Sequence, residues 1–275
     1  MRAAQPRGRV ASLSDAVHRR GALEGGARRL PFHVANWEVA SSFYPPNRAF
    51  LDAFPGATSL LATRKRRRIS TTTLDDVADR EGLAPDCLKL DVEGAELDVL
   101  VGGEKALGGV LALEAEVEFN PVFGGQPMFC DVDRHLRERG WALLGLRRNS
   151  WRRGPSPRPG VPGYGGQLVA ADALYLNERG ASEPLAVNRE LKLLVILAAY
   201  HQWDLLARRL AGSPALAGLP EAERTSLTRA LVPDPGLLRR LLGAVGRRLG
   251  PERRRALADA LQPAQATVWQ DPHFF

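Results

Sequence analysis

The sequence predicts an α/β fold with a doubly wound sheet and a helical appendage, on three observations. Strand-like runs alternate with helical patterns from about residue 69 to 176, as a parallel sheet with crossover helices requires. One stretch, CLKLDVEGAELDVLVGG from Cys87 to Gly103, reads as strand, tight turn and helix. After about Ser182 strand-like runs cease and Leu/Ala/Arg helical patterns take over.

Residues 1 to 29 are rich in Arg, Gly and Ala and predict a poorly ordered start with one short strand near Val10 to Val17. LPFHV from Leu30 has strand character, and the consecutive prolines of SSFYPPN, residues 41 to 47, make that segment a turn. Thr73 is placed to cap a helix from Leu74, with Asp75 and Asp76 at its positive end. The run DCLKLDV follows as a strand, Glu93-Gly94 as a turn, and Leu97, Leu100 and Val101 mark the buried stripe of the next helix, which ends at Gly102 and Gly103. A second strand covers 110 to 119, a helix 131 to 139 ends at Gly140, and WALLGLRR and GQLVAADALYL form late strands around an Arg/Pro/Gly-rich loop. Further helices are expected at 189 to 211, 220 to 231, 235 to 249 and 251 to 262, which divides the chain into 1–29, 30–180 and 181–275. The leucine stripes of the last part bury against neighbours, with a basic membrane-binding helix as the sharper alternative, and the helical region is also a candidate to dock a protein partner.

At 275 residues and 44% hydrophobic content the chain can bury a sizeable core. No apolar run reaches the roughly 20 residues of a membrane span, and the N-terminus lacks the apolar centre of a signal peptide, so a cytoplasmic protein is expected. The two cysteines, Cys87 and Cys130, suggest buried thiols rather than a disulfide framework. Net charge is +7, carried almost wholly by arginine. The densest run, RKRRR from Arg64 to Arg68, reads as a solvated loop or edge strand in preference to a nucleic-acid patch. The five histidines lack ligand spacing, so no zinc site is expected, and neither a G-x-S-x-G elbow nor a P-loop occurs.

Candidate chemistry lies in two charged strands. In extended backbone Lys89, Asp91 and Glu93 project to one face while Leu88, Leu90 and Val92 project to the other. The second strand alternates Glu114, Glu116 and Glu118 with Leu113, Ala115, Val117 and Phe119. Laid in parallel beside the first, it brings Glu116 and Glu118 to the rim of Asp91 and Glu93, where crowded carboxylates raise one another's pKa or recruit a cation. Asn120 opens the loop at that rim, with Gly124 and Gly125. The bland alternatives are a Lys89–Asp91 pair, a helix-capping Glu93 and an edge strand with a solvated acidic face.

TTTLDDV at 71 to 77, CLKLDVEGAELDVLVGG at 87 to 103, the run from Leu111 to Trp141 containing EVEFN and GQP, and GQLVAADALYL at 166 to 176 stand together in an order that resembles FkbM-family methyltransferases. The resemblance covers roughly residues 30 to 176 and extends to SSFYPPN. It implies a class I methyltransferase (Rossmann-like) sheet and methyl transfer from S-adenosylmethionine to a hydroxyl on a sugar or secondary metabolite. It places Lys89, Asp91 and Glu93 beside the cofactor methyl, with Glu116 and Asn120 on the neighbouring strand end. The family's first βαβ unit, with its glycine-rich turn and ribose-holding acid, has no counterpart here. About 50 residues are therefore expected to be missing, to judge from the size of such a unit, and the cofactor-binding residues stay unassigned. The reading of a different class is a non-catalytic interaction module derived from a methyltransferase.

Overall fold

A computed structural model describes residues 29–154, 166–182 and 185–232. The expected strand at Val10 to Val17 and the expected helices at 235–249 and 251–262 lie outside them.

Two sheets form. The smaller pairs β1 (Arg29–Ala35) antiparallel with β2 (Thr63–Ser70), from Arg29 opposite Ser70 to Ala35 opposite Thr63. The basic run is therefore an edge strand, one of the two settings expected for it, with Arg64 to Arg68 all exposed. Two short helices, α1 (Arg48–Leu51) and α2 (Ala57–Leu61), connect the strands. They pack Leu51, Phe54 and Leu61 onto Val122, Phe123 and Val169.

The larger sheet has the order β3 (Cys87–Leu90), β4 (Ala112–Glu118), β6 (Gln167–Asn177), β5 (Trp141–Trp151). Only β3 and β4 are parallel, whereas β6 runs antiparallel to both β4 and β5. A doubly wound, mostly parallel sheet was expected, and the difference has a local cause. Parallel neighbours need a crossover, and the connections from β3 to β4 supply one: α4 (Glu96–Val101) and α5 (Glu104–Leu107). No helix is found among the described residues between β5 and β6, so the chain returns alongside itself.

One face of this sheet is apolar. Leu88, Leu90, Leu113, Ala115, Val117, Ala171, Ala173 and Tyr175 meet Leu74, Val99, Leu100, Val132 and Leu136 in the main core. The covering helices are α3 (Leu74–Glu81), α4, α5 and α6 (Phe129–Glu138). Burying a leucine such as Leu100 or Leu113 contributes about 1.5–3 kcal/mol each. Helix α3 begins as the sequence predicts: the Asp76 amide donates to Thr73 Oγ1 at 3.0 Å, and Gly82 ends it in left-handed backbone at φ 61°.

After β6 come α7 (Glu178–Ser182), α8 (Val187–Ala199), α9 (Trp203–Gly212) and α10 (Glu221–Leu231). The single helix expected at 189 to 211 is two, broken where His201 takes φ 55°. Leu193, Leu194, Leu197 and Leu206 bury against Leu111, just before β4. Beneath them Glu190, fully buried, accepts from Arg209 Nε at 2.7 Å and Nη2 at 2.5 Å. No helix among the described residues is long and apolar enough to cross a membrane. Both cysteines are free and exposed, which corrects the expectation of buried thiols. Cys87 shares the exposed phase of Lys89 on β3, while Leu88 and Leu90 take the buried one.

Candidate active-site rim

The second face of the large sheet carries the charges. Lys89 lies opposite Glu114, and Glu116 opposite Asp172, which in turn lies opposite Arg147. Lys89 Nζ reaches Glu114 at 2.6 Å, Asp172 at 3.1 Å and Asp91 at 3.8 Å. Burial works against the Lys89 charge, but Glu114 and Asp172 outweigh it and hold its pKa above the ordinary lysine value. Arg147 bonds Asp172 from Nε at 2.9 Å, and Tyr200 at the end of α8 donates to Glu114 at 2.6 Å. The expected Lys89–Asp91 contact is thus the longest of three, in a network that spans four strands.

β4 is a central strand, so its acidic residues are not a solvated edge. Glu114 and Glu118 are buried and Glu116 partly so. At the carboxyl end of the parallel pair, Asp91, Glu93 and Glu116 each present a carboxylate oxygen, all within 4.8 Å of one another. This donor set could hold a cation. Without one, the charges crowd: burial, and then the Asp91 charge, pushes Glu93 up to about 8. Burial raises Glu116 well above the ordinary 4.5, with Glu93 and Asp91 adding to it. Glu118 reaches about 8 through burial and the Glu116 and Glu93 charges, against the opposing hydrogen bond from Gln126. Such groups release their protons as a set.

Glu93 arrives by a route other than strand alternation. β3 stops at Leu90, and Glu93 sits in left-handed backbone at φ 56°, followed by Gly94 at φ 93°. A non-glycine residue there is costly and is held by its surroundings. Ser42, buried, donates to the Glu93 carbonyl at 2.6 Å. A Cβ on Gly94 would lie 3.3 Å from Gln126 Cβ and 3.4 Å from Phe123 Cδ2, so the backbone is packed from above. Nor does Glu93 cap the helix. Glu96, the first residue of α4, instead accepts the Val92 amide of the preceding turn at 2.7 Å and is 2% exposed. Burial, together with the Glu118 charge, raises Glu96 well above the usual carboxylate range.

The structure therefore brings Asp91, Glu93 and Glu116 together and sets Lys89 beside them. Asn120 it engages elsewhere: its Nδ2 donates to the Leu168 carbonyl at 2.6 Å and its Oδ1 accepts from Gln167 at 2.9 Å, tying the β4 exit to the start of β6. Sequence reasoning missed Ser42, Glu96 and Gln126. Glu96 had a signal, an acidic residue in the first turn of a helix after a strand, whereas Ser42 depends on a contact across 51 residues.

A cleft separate from the rim lies beside β2. It measures about 820 Å³ and is lined from Asn36 to Arg66, with none of the rim carboxylates in its wall.

Residues 12–141 match the family model described as Methyltransferase FkbM domain. No curated protein and no solved structure matches the chain.

Proposed function

Because residues 12–141 match the FkbM methyltransferase domain model, we propose that the chain moves a methyl group from S-adenosylmethionine to a hydroxyl of a sugar-like or secondary-metabolite acceptor. The observation that carries the reading is the meeting of Asp91, Glu93 and Glu116 at the carboxyl end of two parallel strands, the place where open α/β sheets hold their ligands.

The rim's chemistry fits the cofactor in part. A set of carboxylates suits the sulfonium and ammonium charges of S-adenosylmethionine, and Asp91 and Glu116 are the residues that would face them. The adenosine half finds no such counterpart: no glycine-rich turn followed by an acidic strand end lies among the described residues. β3 pairs only with β4 there, and its open edge supports the reading that a further unit outside the described residues completes the cradle. The cofactor, when bound, supplies an electrophilic methyl carbon. This chain's residues align the acceptor hydroxyl and take its proton. With an apparent value near 8, Glu93 and its neighbours accept a proton near neutral pH more readily than a lone carboxylate would. Residues 30–180 form the methyltransferase domain in this reading and 181–275 an appendage, whose exposed Val187 and Val195 on α8 suit a protein partner. Free cysteines agree with a cytoplasmic setting.

Calorimetric titration with S-adenosylmethionine, joined to an assay of methyl transfer, tests the reading. Cofactor binding, with transfer that Asp91→Asn abolishes, supports it. Transfer at the parental rate in both Asp91→Asn and Glu93→Gln would sink it.

A further inference from the structure

We propose that the 820 Å³ cleft beside β2 binds an anionic group, a phosphate or a carboxylate carried on a sugar-sized molecule, through Arg48 and Arg66.

The volume suits a small polar ligand, and the cleft is lined by both arginines. Among the described residues neither Arg48 nor Arg66 has an ion pair or a side-chain hydrogen bond. Their neighbours differ: Arg64 is paired with Glu38, and Arg68 donates to the Arg29 carbonyl at 2.7 Å. The cleft's own carboxylate, Asp52, is occupied by Thr58, whose hydroxyl donates to it at 2.6 Å. Two arginines without a partner among the described residues thus stand in the wall of a cleft that is otherwise more apolar than polar, and the fork-shaped guanidinium donor matches an oxyanion in two hydrogen bonds. The local potential is positive. His33, buried beside β2, is held below the ordinary histidine range by burial and then by the Arg66 charge.

The cleft and the carboxylate rim share a wall. Ser42 holds the Glu93 carbonyl, while Pro45 and Pro46, three and four residues on, line the cleft. Pro46 bridges to Phe123, and the Pro45 carbonyl accepts the Gly124 amide at 2.7 Å. Phe123 in turn packs on Gly94. An acidic rim repels an anion and a basic cleft collects it, so a ligand with one anionic group and several hydroxyls is oriented with its neutral end toward the carboxylates. Calling that ligand the acceptor rests on the methyl-transfer reading. The anion site itself does not.

Calorimetry on the full chain without cofactor tests the site, with glucose 6-phosphate, glucuronate and uncharged glucose as probes. We expect at least one charged sugar to bind and glucose not to. Arg48→Gln and Arg66→Gln are each expected to weaken binding about tenfold, and raising salt from about 50 to about 300 mM to weaken it further. Arg67→Gln, on the same strand but outside the cleft wall, is expected to leave affinity within about twofold. Preference for the phosphate or for the carboxylate identifies which anion the site takes. Failure of both charged probes at millimolar concentration overturns the proposal, and so does an equal loss in Arg67→Gln, which would mean a diffuse basic surface. A chain that binds charged sugars through Arg48 and Arg66 but transfers no methyl keeps the site and refutes the enzymatic reading. One that methylates neutral sugars but binds neither charged probe does the reverse.

Discussion

Replacing Glu118 by glutamine removes one ionisable group from the rim while keeping its shape and its capacity to bond Gln126. On folding, this carboxyl moves from an ordinary 4.5 to about 8, chiefly through burial. Between those values the folded state holds a proton that the unfolded chain has released. Stability therefore falls as pH rises from about 4.5 to about 8 and levels off above that. At 1.36 kcal/mol per pH unit the full effect at pH 8 is bounded at about 5 kcal/mol. Glu93, Glu96 and Glu116 share the same desolvated space, and removing one charge eases ionisation of the rest. We therefore expect Glu118→Gln to stabilise the protein by about 1–3 kcal/mol at pH 8 and by less than about 0.5 kcal/mol at pH 5. Denaturant titrations at the two pH values measure both. An equal effect at pH 5 and pH 8, or a loss at pH 8, would refute the reasoning, because it would mean that the carboxylate is ionised and compensated in the folded state.

Methyl transfer, once an acceptor is in hand, is expected to rise with pH through about 8, and Glu93→Gln to lower it about 10²–10⁴-fold; a flat profile from pH 6 to 9 counts against a rim carboxylate as proton acceptor. Arg209→Ala strands the fully buried Glu190 and is expected to cost about 3–5 kcal/mol in thermal or chemical unfolding, with Glu190→Gln/Arg209→Met recovering most of the loss. Gly103→Ala sets a Cβ 2.6 Å from Leu74 Cδ2 and 3.0 Å from its Cβ, an overpacking expected to cost about 1–3 kcal/mol. That cost should shrink in a Leu74→Ala background, and strictly additive losses would show that the two sites do not meet.

Local pattern carried much of this architecture. The helix from Thr73, the strand at Cys87, the turn at Gly94 and the helix after it are all short-range events, each written in neighbouring residues. The pairing of β1 with β2 joins Arg29 to Ser70, and β2 has no apolar alternation to announce a strand, since five of its eight residues are basic. The break between α8 and α9 carries neither glycine nor proline and rests on His201 in left-handed backbone. The insertion of β6 between β4 and β5 is a matter of spatial order, which periodicity cannot express. Glu93 shows the limit most clearly. Strand alternation puts it near the other carboxylates, and so does the structure, but through a backbone turn that Ser42 and Gln126 help to fix from distant parts of the chain.

The rim depends on one register. Lys89 opposite Glu114 and Leu90 opposite Ala115 put the acidic phase of β4 on the same side as Asp91, and the leucine and valine phase against α4 and α6. A slip of one residue would turn Glu114, Glu116 and Glu118 into the main core and Leu113, Ala115 and Val117 out of it. The apolar face therefore selects the register, and the charged face follows from it. Lys89 then has a second role besides neutralising Glu114 and Asp172: it holds part of the negative charge of this face at the middle of the strands. The remaining acids, Asp91, Glu93 and Glu116, lie beyond its closest contacts, at the strand ends. Their crowding is the cost of a face that folds by its opposite side.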